Sequence, residues 1–155
     1  MSVADIAIRP ATNDDAHALA PVMRAADRLE AEAATGDTPL NALRLSLARS
    51  TEAWAGTADG AIVCLFGVAP LCLLGGEACP WLLGSDLVER HAMAFARRNK
   101  PMVRRWSAQF PVLRNFVDAR HAVAIRWLGW MGFTLLPPIA YGPARLPFHP
   151  FEMRA

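Results

Sequence analysis

The sequence predicts one layered α/β domain spanning residues 1–155, with helices on both faces of a twisted sheet. Three observations predict it. Apolar residues alternate in some stretches and recur at helical spacing in others, so strands and amphipathic helices share the chain. Asp59-Gly60 separates two apolar runs, a strong hairpin signal that makes the N-terminal half antiparallel. The C-terminal half runs strand, helix, strand, the pattern of a βαβ unit. A length of 155 residues suits one core, and 54% hydrophobic against 19% charged residues marks a folded chain.

The elements follow in order. "IAIRPAT" alternates and then turns, as a first strand does. "NDDAHALAPVMRAADRLEAEA" is helical, capped by Thr12 or Asn13 and favoured at its start by Asp14 and Asp15, with a break expected at Pro21. "TGDTPLNALRLSLARS" is a second helix: Thr38 caps it, Pro39 fits its first turn, and Leu40, Leu43 and Leu47 share a face. "EAWAGTA" and "AIVCLFGVAPL" are strands joined by Asp59-Gly60. "CLLGGEACPWLLGS" carries a Gly-Gly turn and a further apolar segment ending at Leu83.

"GSDLVERHAMAFARRNK" has a Ser-Asp cap and helical spacing, and "MVRRWSAQFP" offers a continuation ending before Pro111. "VLRNFVDA" is a strand, and "RHAVAIRWLGWMG" a helix closed by Gly132. "FTLLPPIAYG" is a strand interrupted by two prolines, and "PFHPFEM" a short final strand.

Composition excludes several functions. "MSVADIAIRP" lacks the basic and apolar regions of a secretory signal. The longest apolar run, "AIVCLFGVAPLCLL", is too short to cross a bilayer and contains Pro70, so membrane insertion is not expected. Cys64, Cys72 and Cys79 are odd in number and lack metal-ligand spacing, which argues for reduced, buried thiols and for no metal. Charge is uneven: Met1–Asp86 holds 5 basic and 11 acidic residues, Leu87–Ala155 holds 11 and 3. The basic excess clusters in "RRNKPMVRR", either a solvated helix surface or a site for phosphates.

The order of elements, ending in "VDARHAVAIRWLGWMGF", resembles the GCN5-related N-acetyltransferase (GNAT) superfamily. His121, Ala124, Trp127-Leu128 and Gly132-Phe133 fall where that superfamily carries its late helix motif. The resemblance implies a mostly antiparallel twisted sheet and acetyl transfer from acetyl-CoA to an amine. A second resemblance covers nearly the whole chain. "IRPAT", "PWLLGSD", "FPVLRNFVDARHAVAIRWLGWMGF" and "PFHPFEM" look like a small family of short-tailed bacteriophages, internal virion proteins or acyltransferases. It implies action in the host cytoplasm during infection or in the virion, with a phage or host protein, or a second copy of the chain, as partner.

Against the superfamily pattern, "LLGSDLVERH" holds one glycine, Gly84, and sets Asp86 where phosphates would lie. Leu128 stands where a tyrosine usually protonates the leaving thiolate, and the single tyrosine, Tyr141, belongs to another element. In the enzymatic reading the acetyl group lies along Trp81, Leu82 and Leu83, the phosphates meet Gly84 and Ser85, Arg90, Arg97 or Arg98 offsets Asp86, and His121 is the candidate acid or base. His17, His91 and His149 have no evident chemical partner. A second reading is a non-catalytic GNAT-like protein acting in virion assembly. The third and weakest is nucleic-acid binding through the arginines and Trp106.

Overall fold

The computed structural model describes residues 3–72, 74 and 76–155. Strand β1 (Ile6–Pro10) is followed by helices α1 (Asn13–Leu19), α2 (Ala25–Thr35) and α3 (Pro39–Arg49). Strands β2 (Glu52–Ala58), β3 (Ala61–Cys72) and β4 (Glu77–Gly84) come next, then α4 (Leu87–Arg90), α5 (Ala92–Gln109), β5 (Val112–Asp118) and α6 (Ala122–Met131). The short β6 (Thr134–Leu135) and β7 (Ile139–Tyr141) lead to β8 (Leu146–Arg154).

Local chemistry sets the boundaries. Thr12 and Asp15 form a reciprocal capping box at α1, and Thr38 accepts the Asn41 N–H at α3. Pro21 does break the first helical stretch: α1 gives way to a single tight turn at Ala20–Val22, and the chain is extended at Met23 before α2 begins. Asp59 and Gly60 both take positive φ, 49° and 81°, as a two-residue hairpin turn requires. Gly132, at φ 102°, ends α6 in the left-handed conformation. The expected long helix divides at His91 into α4 and α5, and α5 passes through Pro101 to Gln109. Pro101 is exposed, so the carbonyl it leaves without a partner faces water.

Among the described residues the strands form one sheet in the order β1-β2-β3-β4-β5-β8-β6, with β7 also paired to β8. All pairings are antiparallel except β4 with β5. That parallel step requires a crossover, which α4 and α5 supply. Leu19, Leu43 and Leu65 build the core on the α1 and α3 face, whereas Phe66, Phe95, Val103, Trp106 and Met131 build the one under α5 and α6.

One irregularity of the sheet positions the candidate site. β4 and β5 pair only at Glu77 with Val112 and Ala78 with Leu113, and beyond these β4 stays with β3 while β5 stays with β8. Pro80 lies at the point of separation. Its carbonyl accepts the Asn115 side-chain N–H at 2.8 Å, so this edge of Pro80 faces β5, and on that edge proline has no N–H to donate. The strands splay from there and open a gap through the sheet.

Candidate active site

The gap holds a cavity of about 580 Å³ lined from both faces: by Trp81 and Leu83 on the α1–α3 side, and by Leu82, Val103 and Leu128 on the α5–α6 side. Side chains alternate along β4, and so do backbone groups. Pro80 and Gly84 turn their polar backbone edges to the gap, and by the same alternation Leu82 does too. Ser85 turns the other way, its N–H donating to Val63 O at 2.8 Å.

The open end is closed by α2. Met23 bridges to Ser85, and the Arg24 N–H donates to Gly84 O at 2.9 Å, so the extended segment after Pro21 docks on the end of β4. From there α2 lays Arg24, Asp27, Glu30, Ala31, Ala34 and Thr35 along the cavity, at the three- and four-residue spacing of one helix face.

Asp27, 1% exposed, is the centre of this end. Its Oδ2 accepts the Gly84 N–H at 2.7 Å and lies 2.9 Å from Arg24 Nε, whose N–H does not point along the contact. Its Oδ1 is 2.7 Å from His121 Nε2. The other ring nitrogen of His121, Nδ1, accepts the Ala124 N–H at 3.3 Å and caps α6. That bond assigns the proton to Nε2, which donates to Asp27, so both nitrogens are engaged.

Glu30, one turn further along α2, accepts the Asp118 N–H at 2.8 Å through Oε1. Burial raises its carboxyl from 4.5 to about 7, against the pull of that N–H and of His121 and with help from the carboxylates of Asp27 and Asp118. Burial also pushes Asp118 up, but hydrogen bonds and charge from Arg120 prevail and hold it below the ordinary range. Asp27, Glu30 and His121 each bring a ligand atom within 4.8 Å of the others, close enough for a metal ion. The oxygens of Asp27 are already taken by His121, Gly84 and Arg24, and a cation there would face the guanidinium.

The structure therefore brings His121, Trp81, Leu82 and Leu83 to the cavity; Gly84 and Ser85 form its end with engaged amides, while Arg90 is exposed outside its lining. The Trp81 indole donates to Ser50 Oγ at 2.7 Å and leaves the gap open. Tyr141 returns to the cavity through β7, stacked on Phe116 with ring centroids 4.1 Å apart, its phenol raised by burial. Trp106 is 2% exposed in the core while Arg97, Arg98, Arg104 and Arg105 are exposed on α5, so the arginine–tryptophan surface expected of a nucleic-acid binder does not form. No described helix is long and apolar enough to cross a membrane. Cys64 is buried, and burial pushes it and Cys79 up to about 12, as inert thiols.

Asp27 and Glu30 escaped the sequence reading because acidic residues on a helix are expected to face water. The signal was present in Arg24, Asp27 and Glu30, spaced three apart just after a helix break.

No family model matches the chain, and no curated protein matches it in sequence. Solved structures do match in fold. A ribosomal-protein-alanine N-acetyltransferase from Brucella melitensis superposes with a TM-score of 0.73 at 14% identity, over 96% of this chain and 99% of that one. A GNAT superfamily phosphinothricin acetyltransferase from Sinorhizobium meliloti, in complex with acetyl-CoA, gives 0.72 at 14% identity over 96% and 88%. A putative acetyltransferase from Salmonella typhimurium, with its cofactor acetyl-CoA, gives 0.69 at 14% over 96% and 93%. The chain has the GNAT acyltransferase fold, a mixed α/β domain built on a mostly antiparallel sheet.

Proposed function

We propose that the protein is an N-acyltransferase that moves an acyl group from an acyl-CoA, acetyl-CoA being the reference donor, to an amine. The observation that carries this reading is the splayed β4–β5 gap with a raised carboxyl, Glu30, on its wall. The apolar lining fits the neutral arm of such a donor better than its charged end, where Asp27 holds the Gly84 amide and Asp86 is exposed. Exposed Arg90, Arg97 and Arg98 would meet the phosphates.

The donor supplies a thioester carbonyl. The Leu82 N–H, turned into the gap, donates to that carbonyl oxygen as charge develops there. Glu30 takes a proton from the amine nitrogen as it bonds to the carbonyl carbon and the carbon–sulfur bond breaks. Tyr141, still protonated, is the phenol available to return a proton to sulfur. His121 positions Asp27, and Asp27 positions Arg24 and the end of β4. The catalytic part expected of His121 thus passes to Glu30, since neither ring nitrogen is free.

Glu30→Gln tests this. Acyl transfer should fall by about a hundredfold or more while calorimetric acetyl-CoA affinity is retained, and the wild-type rate should climb with a midpoint near the Glu30 value of about 7. Unchanged transfer in the variant would overturn the assignment.

One observation favours a second reading. The engaged amides of Gly84 and Ser85, next to Asp86, leave little backbone for a pyrophosphate. A phage-encoded, non-catalytic protein would tolerate this, working through protein contacts in the host cytoplasm or in the virion. The resemblance of "PWLLG" and "FHPFEM" to the phage family supports that origin. Absence of acetyl-CoA binding at millimolar ligand would favour it over transfer.

A further inference from the structure

The gap passes through the sheet, and the arginines assigned to the donor's phosphates lie on α4 and α5, so the acceptor amine has the opposite face to enter by. Helix α3 borders that entrance. Leu43, with Leu40 and Leu47, packs it on the core of that face. Ala42, Leu45, Ser46 and Arg49 line the cavity at three- and four-residue spacing, as one flank of the same helix. The C-terminal end of α3 is pinned to the gap. Ser50 Oγ accepts the Trp81 indole N–H at 2.7 Å, and Trp81 precedes Leu82, whose N–H is turned to the donor carbonyl. Arg49 therefore stands at the entrance, beside the residue that ties α3 to the reacting strand.

Two arginines line the cavity. Arg24 is buried and lies 2.9 Å from Asp27 and 3.4 Å from Glu89. Arg49 is exposed and has no ion pair or side-chain hydrogen bond among the described residues. The other carboxylates of the wall are committed elsewhere: Asp27 to Gly84 and His121, Glu30 to the Asp118 N–H. Asp37 lines the cavity at the opposite end of α3, about 18 Å from Arg49 by helix rise. A cation in a last turn complements the helix dipole without a partner, but at this entrance it also sets a positive potential over whatever comes in. A guanidinium offers a fork of N–H donors that matches a carboxylate or a phosphonate, whereas a second ammonium on the acceptor would be repelled.

We infer that the acceptor of this site is a small amine carrying an anionic group, with the amine directed to Glu30 and the anion paired with the Arg49 guanidinium on α3. The inference rests on the acyl-transfer reading and specifies its acceptor.

The test is steady-state transfer from acetyl-CoA to 4-aminobutanoate, 3-aminopropylphosphonate, butylamine and putrescine, with binding of the same amines to the donor-free full chain followed by calorimetry. Both anionic amines should exceed butylamine in kcat/KM by about five- to tenfold, and putrescine should fall below it. The ranking of the carboxylate against the phosphonate names the anion. Arg49→Gln should raise KM for 4-aminobutanoate by that factor, with kcat and the calorimetric acetyl-CoA affinity retained. Arg49→Lys should keep part of the preference, and Arg49→Glu should turn it toward putrescine. Butylamine matching both anionic amines in wild type, or a preference that survives Arg49→Gln, would overturn the inference and leave acyl transfer standing. If no amine were acylated while 4-aminobutanoate bound wild type and not Arg49→Gln, the acyl-transfer reading would fall and the ligand class would stand. Failure of both transfer and binding would overturn both.

Discussion

Asp27 is a buried carboxylate with three neighbours that hold it, and Arg24 is a buried guanidinium whose closest counter-charge is Asp27. Removing one partner of such a pair costs more than the pair contributes, because the other charge stays buried. Asp27→Ala should therefore lower stability by about 3–5 kcal/mol in denaturant melts. Glu30 behaves differently. Its carboxyl is raised from 4.5 to about 7, so the folded state holds the proton more tightly than the unfolded chain does. The stability tied to that proton is complete below the unfolded value and is lost as pH rises through the folded one. Glu30→Gln cannot ionise, so its Tm should gain on wild type between about pH 5 and about pH 7.5, with a ceiling of about 3 kcal/mol. A constant Tm difference across that range would show that Glu30 is not raised. Neither residue stands out in the sequence, where "RAADRLEAEAAT" reads as an ordinary solvated helix.

Two prolines and one glycine arrange the elements around these residues. Pro21 stops α1 and frees Met23 and Arg24 to dock on the end of β4, which aims the polar face of α2 at the gap. Pro80 withholds an N–H from β5 and begins the splay. Gly142, at φ 78°, follows β7 so closely against α2 that an added Cβ would come within 1.9 Å of Ala33 O. Gly142→Ala should cost about 2–4 kcal/mol and displace Tyr141 from Phe116, which Tm and tyrosine fluorescence would report. Full wild-type stability in that variant would mean the turn has room to move. The helix break at Pro21, the hairpin at Asp59-Gly60 and the cap at Gly132 were all legible, because each depends on one residue's own backbone restrictions. The continuation of the long helix through "MVRRWSAQ" to a stop before Pro111 was legible as well, whereas its division at His91 was not, because that depends on where the helix lies against the sheet.

At the scale of the whole molecule, the acidic N-terminal half supplies Asp27 and Glu30 to the cavity and the basic C-terminal half supplies exposed arginines on α5. The cavity lies where the halves meet, lined by α2 from one and by α5, β5 and α6 from the other. A ligand in it ties the halves together and binds only the folded chain. Acyl-CoA at a hundred times its Kd should therefore stabilise the whole protein by about 2.7 kcal/mol in one cooperative transition, seen by scanning calorimetry. A stabilisation confined to part of the unfolding would mean that the halves unfold separately. The sequence by itself determined the order of elements, their caps and turns, and the layered α/β class, since periodicity and local backbone chemistry suffice for these. It also marked Trp81 to Ser85 and His121 as residues to examine. Only the tertiary structure decided that the Gly84 amide belongs to Asp27 and that Glu30 faces a cavity. Those facts depend on contacts between residues far apart in the chain, where burial turns a commonplace carboxylate or amide into a group that must be paired or put to use.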